Sequence, residues 1–162
     1  MKQFSIARRA TILLSVALLT ACASGVKLDD VDGKGKGGAG TDFSSQPWND
    51  PKSPLFKRSV YFDFDSYTVK SEYQATLQAH ANYLKANKDR KIKIEGNTDE
   101  RGTTEYNLAL GQRRSEAVRK SLTLLGVPDS QIEAVSFGKE KPKAQGSNEA
   151  AWQENRRADI AY

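Results

Sequence analysis

The amino-acid sequence predicts an α/β sandwich spanning Ser59 to Tyr162. Two kinds of observation carry that expectation. Short strand-like stretches alternate with longer stretches whose apolar residues recur at helical spacing. Gly-, Pro- and Asn-containing turns separate them, and a run of about 100 residues suffices for one packed core.

The first element is "SVYFDF", in which Val60, Phe62 and Phe64 alternate with Tyr61, Asp63 and Asp65 as in a half-buried strand. From Val69 to Asn87 a helix is predicted, with Tyr73, Leu77, His80, Ala81 and Leu84 on one stripe. "KIKIEG" alternates again through Ile92 and Ile94, giving a second strand. A second helix follows, capped by Thr103 or Thr104 and carrying Glu105 in its first turn. Its expected stripe is Leu108, Gly111, Ser115, Val118, Leu122 and Leu125, ending at Gly126 with Pro128 beyond. "IEAVSFG" reads as a third strand, Asn148 to Asn155 as a short helix, and "RADIAY" as the closing strand.

The segment before this domain reads differently. Lys2, Arg8 and Arg9 precede the apolar run "ATILLSVALL", which is too short to span a bilayer and has the form of a secretory leader. The expected division is a signal peptide over 1–21, a lipidated Cys22 with a flexible linker over 22–58, and the domain over 59–162. "LTAC" resembles the bacterial lipobox, which implies lipid on Cys22. With Ala23 rather than aspartate after it, the resemblance places the anchor in the inner leaflet of an outer membrane. The linker is rich in Gly, Ser, Pro and Asp, a tether composition. Trp48 and Phe56 are candidates either for packing on the domain or for incidental exposure. Cys22 is the single cysteine, so no internal disulfide is possible. Removing three cations with the leader reduces the formal charge from +5 to +2, which undercuts a nucleic-acid reading.

The densest charge lies in "EGNTDERGTTEYNLALGQRR", Glu95 to Arg114. Triad chemistry needs an available histidine, and the only one, His80, lies on the apolar stripe of a helix. Zinc ligation lacks ligands, and no P-loop or GxGxxG follows a strand. Asp99 with Glu100, or Asp63 with Asp65, could be a glycosidase pair. However, neighbours on an extended strand point apart, and nearby arginines depress the pKa a general acid needs raised. No catalysis and no cofactor are therefore expected. A strand–loop–helix unit can instead bring Asp99 and Arg114 to one cleft, where they complement an ammonium and a carboxylate. Backbone N–H groups from Thr103 to Tyr106 supply further donors. Asp99 and Arg114 could equally pair with each other, and the residues alone leave both arrangements open.

"GNTDERGTTEYNLALGQRRSEAV" is similar to the G-x-x-D-x-x-G-x-x-x-x-N-x-x-L-x-x-x-R-A-x-x-V signature of OmpA-like peptidoglycan-binding domains. "VYFDFDSY", "VSFGKEKP" and "NRRADIAY" extend the likeness over Val60 to Tyr162. The resemblance implies a βαβαββ domain, two main helices on a four-stranded mixed sheet. It implies a ligand, the peptide stem of peptidoglycan, held at meso-diaminopimelate. By position, Asp99 would take the ammonium and Arg114 the carboxylate. Asn107 and Leu110 would shape the cleft, Arg101 and Gly102 would line it, and Phe64 with Asp65 would close one side. TolB and the Tol system are the implied protein partners. A wall hydrolase sharing the domain, or an adaptor acting mainly through protein contacts, are the alternatives. Two positions depart from the pattern: Asn97 replaces a common His and cannot titrate near neutral pH, and Ser115 replaces Ala. On this reading, alanine at Asp99 or Arg114 abolishes wall binding and leaves the fold intact.

Overall fold

A computed structural model describes residues 46–162. The expected leader, Cys22 and most of the expected linker lie outside the described residues. The element order is β1 (Ser59–Tyr61), α1 (Gln74–Ala86), β2 (Ile92–Asn97), α2 (Thr104–Leu124), β3 (Ile132–Gly138), α3 (Glu149–Asn155) and β4 (Arg157–Ala161). The sheet order is β1-β4-β2-β3. β2 runs parallel to β3 and antiparallel to β4, and β1 is antiparallel to β4, so the sheet is mixed. A parallel β2–β3 pair needs a crossover, and α2 is that crossover.

One face of the sheet is apolar because Ile92, Ile94 and Ile160 point the same way as Val60 and Ala158. They pack against Leu77, Ala81 and Leu84 of α1 and Val118 and Leu122 of α2. Burying such side chains is worth roughly 1.5–3 kcal/mol each, which is why two amphipathic helices settle on this face. The alternate residues of β2 and β3 face solvent, where Lys93 pairs with Glu133 at 3.4 Å and Lys141 with Glu95 at 3.0 Å.

A pair of glycines sets how closely α2 lies on β2. A Cβ on Gly96 would sit 1.8 Å from the Gly111 carbonyl oxygen. Contact at that distance is impossible for any other residue, so the end of β2 and the start of α2 are drawn together only because both positions lack side chains.

The structure differs from the expected elements in five places. The first strand stops at Tyr61 rather than Phe64: Phe62 is still buried, but the chain turns at Asp63 and leaves Phe64 63% exposed. The first helix begins at Gln74, after a short 3-10 turn over Ser71–Tyr73. In α2 the buried face is Asn107, Leu110, Gly111, Arg114, Ser115, Val118 and Leu122, whereas Leu108 is exposed. An apolar count misplaced that face because Asn107 and Arg114, two of its three inward polar residues, bring their own partners. The short third helix α3, expected from the residues, interrupts the βαβαββ order that the resemblance implied. Finally, packing reaches back before Ser59: Trp48 is buried, stacks on Tyr162 at 4.2 Å, and has Arg90 over its ring at 5.1 Å. Phe56 remains exposed.

The same corner holds His80, which is fully buried. Its Nε2 lies 2.9 Å from the Lys57 carbonyl, which only accepts, so Nε2 carries the proton and Nδ1 accepts from the Tyr162 hydroxyl at 2.7 Å. The histidine is a structural cross-link there.

Candidate binding cleft at the carboxyl end of the central strand

β2 ends at Asn97, and Thr98 still donates its backbone N–H to Gly138 at 2.8 Å. The strand therefore delivers Asp99 to its own carboxyl end. Asp99 is buried, and its Oδ1 accepts from the Arg101 backbone N–H at 3.1 Å, closing a tight turn. The turn passes through Gly102 at φ +94°, where a side chain would be strained. Asn107 donates to the Arg101 carbonyl at 2.8 Å and Thr103 caps α2 by accepting from the Tyr106 N–H at 3.2 Å. Helix and loop are thus locked in one register.

Two guanidiniums meet the Asp99 carboxylate. Arg101 approaches sideways, with Nε 3.2 Å from Oδ1 and Nη2 2.7 Å from Oδ2, and Arg156 Nη1 lies 3.4 Å from Oδ2. Burial pushes the Asp99 pKa up, but the bonds from Arg101 and Arg156 outweigh it and hold the carboxyl below its ordinary value. Asp99 is an anion at neutral pH.

Arg114 is fully buried on α2. It donates to three backbone carbonyls: Ser66 from Nε at 2.8 Å, Asn97 from Nη1 at 2.9 Å and Asp63 from Nη2 at 3.1 Å. Burial lowers its pKa to about 10, so it too stays charged. Three bonds use three of the five guanidinium N–H groups and leave one on each of Nη1 and Nη2 for another acceptor. Asp99 and Arg114 are not hydrogen-bonded to each other, which resolves the pairing the residues left open.

Phe64, Asp65, Asp99, Arg101, Asn107, Leu110 and Arg114 line one cleft together with Thr98 and Tyr106. Gly102, the remaining sequence-predicted residue, forms the turn rather than the lining. The cleft holds only about 20 Å³ of open space, room for about one water. Two of the lining residues are bonded to each other: Tyr106 donates its hydroxyl to Asp65, which sits at the positive φ of 51°. The Arg101 guanidinium is sandwiched between the rings of Phe64 at 4.3 Å and Trp152 at 4.0 Å.

Sequence reasoning missed Arg156, Trp152, Tyr106 and Thr98. Arg156 is buried and fixed by Glu149 at 2.7 Å and the Phe62 carbonyl at 3.2 Å. Consecutive arginines entering a strand were the available signal: whichever way the strand faces, a charge must be buried and therefore paired. Trp152 is held by donating Nε1 to Glu100 at 3.0 Å.

The α/β domain thus carries a buried carboxylate and a buried guanidinium in one cleft, each fixed by bonds to groups other than its counterpart. The OmpA family model matches residues 61–156. A peptidoglycan-associated lipoprotein of Pasteurella multocida is 47% identical over 148 residues, covering 91% of this chain and 92% of that protein. One of Pseudomonas putida is 38% identical over 167 residues, covering 99% of each. The crystal structure of the peptidoglycan-associated lipoprotein from Burkholderia pseudomallei superposes with a TM-score of 0.70 at 68% identity, covering 72% of this chain and 99% of that one. The chain belongs to the OmpA family and, within it, to the peptidoglycan-associated lipoproteins. The C-terminal domain of Helicobacter pylori MotB shares the fold at 22% identity with a TM-score of 0.58.

Proposed function

We propose that this protein tethers an outer membrane to the cell wall without catalysis. The observation that carries the reading is the placement of Asp99 and Arg114 in one cleft, both charged and not bonded to each other. Asp99 receives the ammonium and Arg114, through its unused N–H groups, the carboxylate of the diaminopimelate centre in the peptide stem of peptidoglycan. The names of the relatives support the wall as the ligand. Lipid on Cys22 would hold the other end in the inner leaflet of the outer membrane, with the domain in the periplasm. TolB and the Tol–Pal system, acting in envelope integrity and in constriction during division, are the partners this reading supplies. Because the lipid confines the domain near the wall, modest affinity per site is enough.

The test is co-sedimentation with purified sacculi. Asp99→Asn keeps the shape but loses the charge, which at about 1–3 kcal/mol predicts roughly 5- to 150-fold weaker binding. The thermal midpoint measured alongside shows whether the variant remains folded. A folded Asp99→Asn that sediments like wild type would sink the proposal.

A further inference from the structure

The cleft as it stands has no room for an amino-acid centre, and both oxygens of Asp99 are occupied. Something must move for a ligand to enter. Arg114 is pinned by three backbone carbonyls. Arg156 is buried and tied to Glu149 and to the Phe62 carbonyl, so its contact with Asp99 is the longest of its bonds rather than its only one. Arg101 differs from both. Its side chain is 34% exposed, and Asp99 is the sole acceptor its guanidinium has among the described residues. The rest of its surroundings are two aromatic faces, Phe64 and Trp152. Stacking fixes the plane of a guanidinium but leaves the N–H edge free to turn toward a different acceptor.

We propose that Arg101 is a gate: in the free protein its guanidinium occupies the cation place on Asp99, and on binding it exchanges Asp99 for the carboxylate of the incoming ligand. The inference rests on the reading of Asp99 as the ammonium site and deepens it. The exchange makes the cleft selective. Three guanidiniums, from Arg101, Arg114 and Arg156, converge around the single buried carboxylate of Asp99. A ligand bringing only an ammonium evicts Arg101 and gives it nothing in return. A ligand bringing an ammonium with an adjacent carboxylate satisfies Asp99 and the released guanidinium together. Arg101 is therefore a specificity-determining residue, distinct from the pinned Arg114 that the family pattern marks.

The full chain is titrated with meso-diaminopimelate and with its diamide, which keeps both ammoniums and removes both carboxylate charges. Wild type is expected to prefer the diacid by about tenfold or more. Arg101→Gln is expected to reduce that preference to about threefold or less. The same variant should bind the diamide more tightly than wild type does, because Asp99 is no longer occupied. A merely structural arginine would weaken both ligands together. An unchanged preference in Arg101→Gln, or weaker binding of the diamide, overturns the gate. Asp99→Asn separates the two ideas: if it binds the diacid like wild type, or if wild type binds neither probe at millimolar concentration, the proposed function itself fails. If Asp99→Asn loses the diacid while Arg101→Gln keeps the wild-type ratio, only the gate fails.

Discussion

Replacing Arg114 by methionine removes a buried cation while keeping most of its volume, and the structure predicts that the fold suffers first. Three carbonyl oxygens lose their donor. That of Asn97 is bonded by the buried Nη1, whereas those of Ser66 and Asp63 lie in part-buried contacts. A buried acceptor left unpaired costs about 1–3 kcal/mol, and the two others recover part of their loss from water. The stem of methionine retains the contact with Phe62, over which the guanidinium now lies at 5.2 Å. The net expectation is a loss of about 3–4 kcal/mol, a large share of the 5–15 kcal/mol that a domain typically has. Urea unfolding followed by far-UV circular dichroism measures it, with the m-value checking that the transition stays two-state. A loss below about 1 kcal/mol would refute the reasoning, since one buried and two part-buried bonds cannot be removed that cheaply. These bonds argue against the expectation that Arg114 can be removed with the fold intact. Loss of wall binding on changing Arg114 reports unfolding as much as contact, whereas Asp99→Asn and Arg101→Gln report the site.

Gly96→Ala forces a methyl group against the Gly111 carbonyl and separates α2 from β2, costing about 1–3 kcal/mol and lowering the thermal midpoint. Should the variant melt with wild type, the close approach is not tight. Trp48→Ala removes the stack on Tyr162 and the Arg90 contact, costing up to about 3 kcal/mol. It should also open the segment before β1 to proteolysis, and equal digestion rates would count against a packed Trp48. The His80 pKa is lowered from the ordinary 6.5 by burial, so its neutral form is the folded one. Stability is full above 6.5 and falls as pH drops from there through the lowered folded value. Asp99, lowered from the ordinary 3.8, adds a second loss only below that value. Urea midpoints at neutral and mildly acidic pH check the sign, and His80→Gln should flatten the upper part of the fall.

Alternation and helical spacing sufficed for the order of strands and helices, because each element's pattern comes from residues adjacent in the chain. Asn107 and Leu110 came only from the resemblance to OmpA-like domains, but a cap at Thr103 or Thr104, and Asp99 with Arg114 at one cleft, were legible for a related reason. They lie within one strand–loop–helix unit whose local geometry nearly dictates where they point. Leu108 was misplaced because the inward face of α2 is chosen by the partners of Asn107 and Arg114, which come from Arg101, Asp63, Ser66 and Asn97. Tertiary structure alone decided that Arg156 shares Asp99 with Arg101, from a position 57 residues away in the chain. It alone decided that Trp152 stacks on Arg101 and that Trp48 closes on Tyr162. Charges and rings distant in sequence meet only when the sheet is assembled in the order β1-β4-β2-β3. Local sequence thus determined that Asp99 and Arg114 could reach one cleft, while the packed sheet determined that Asp99 is already occupied and Arg114 already bound to the fold.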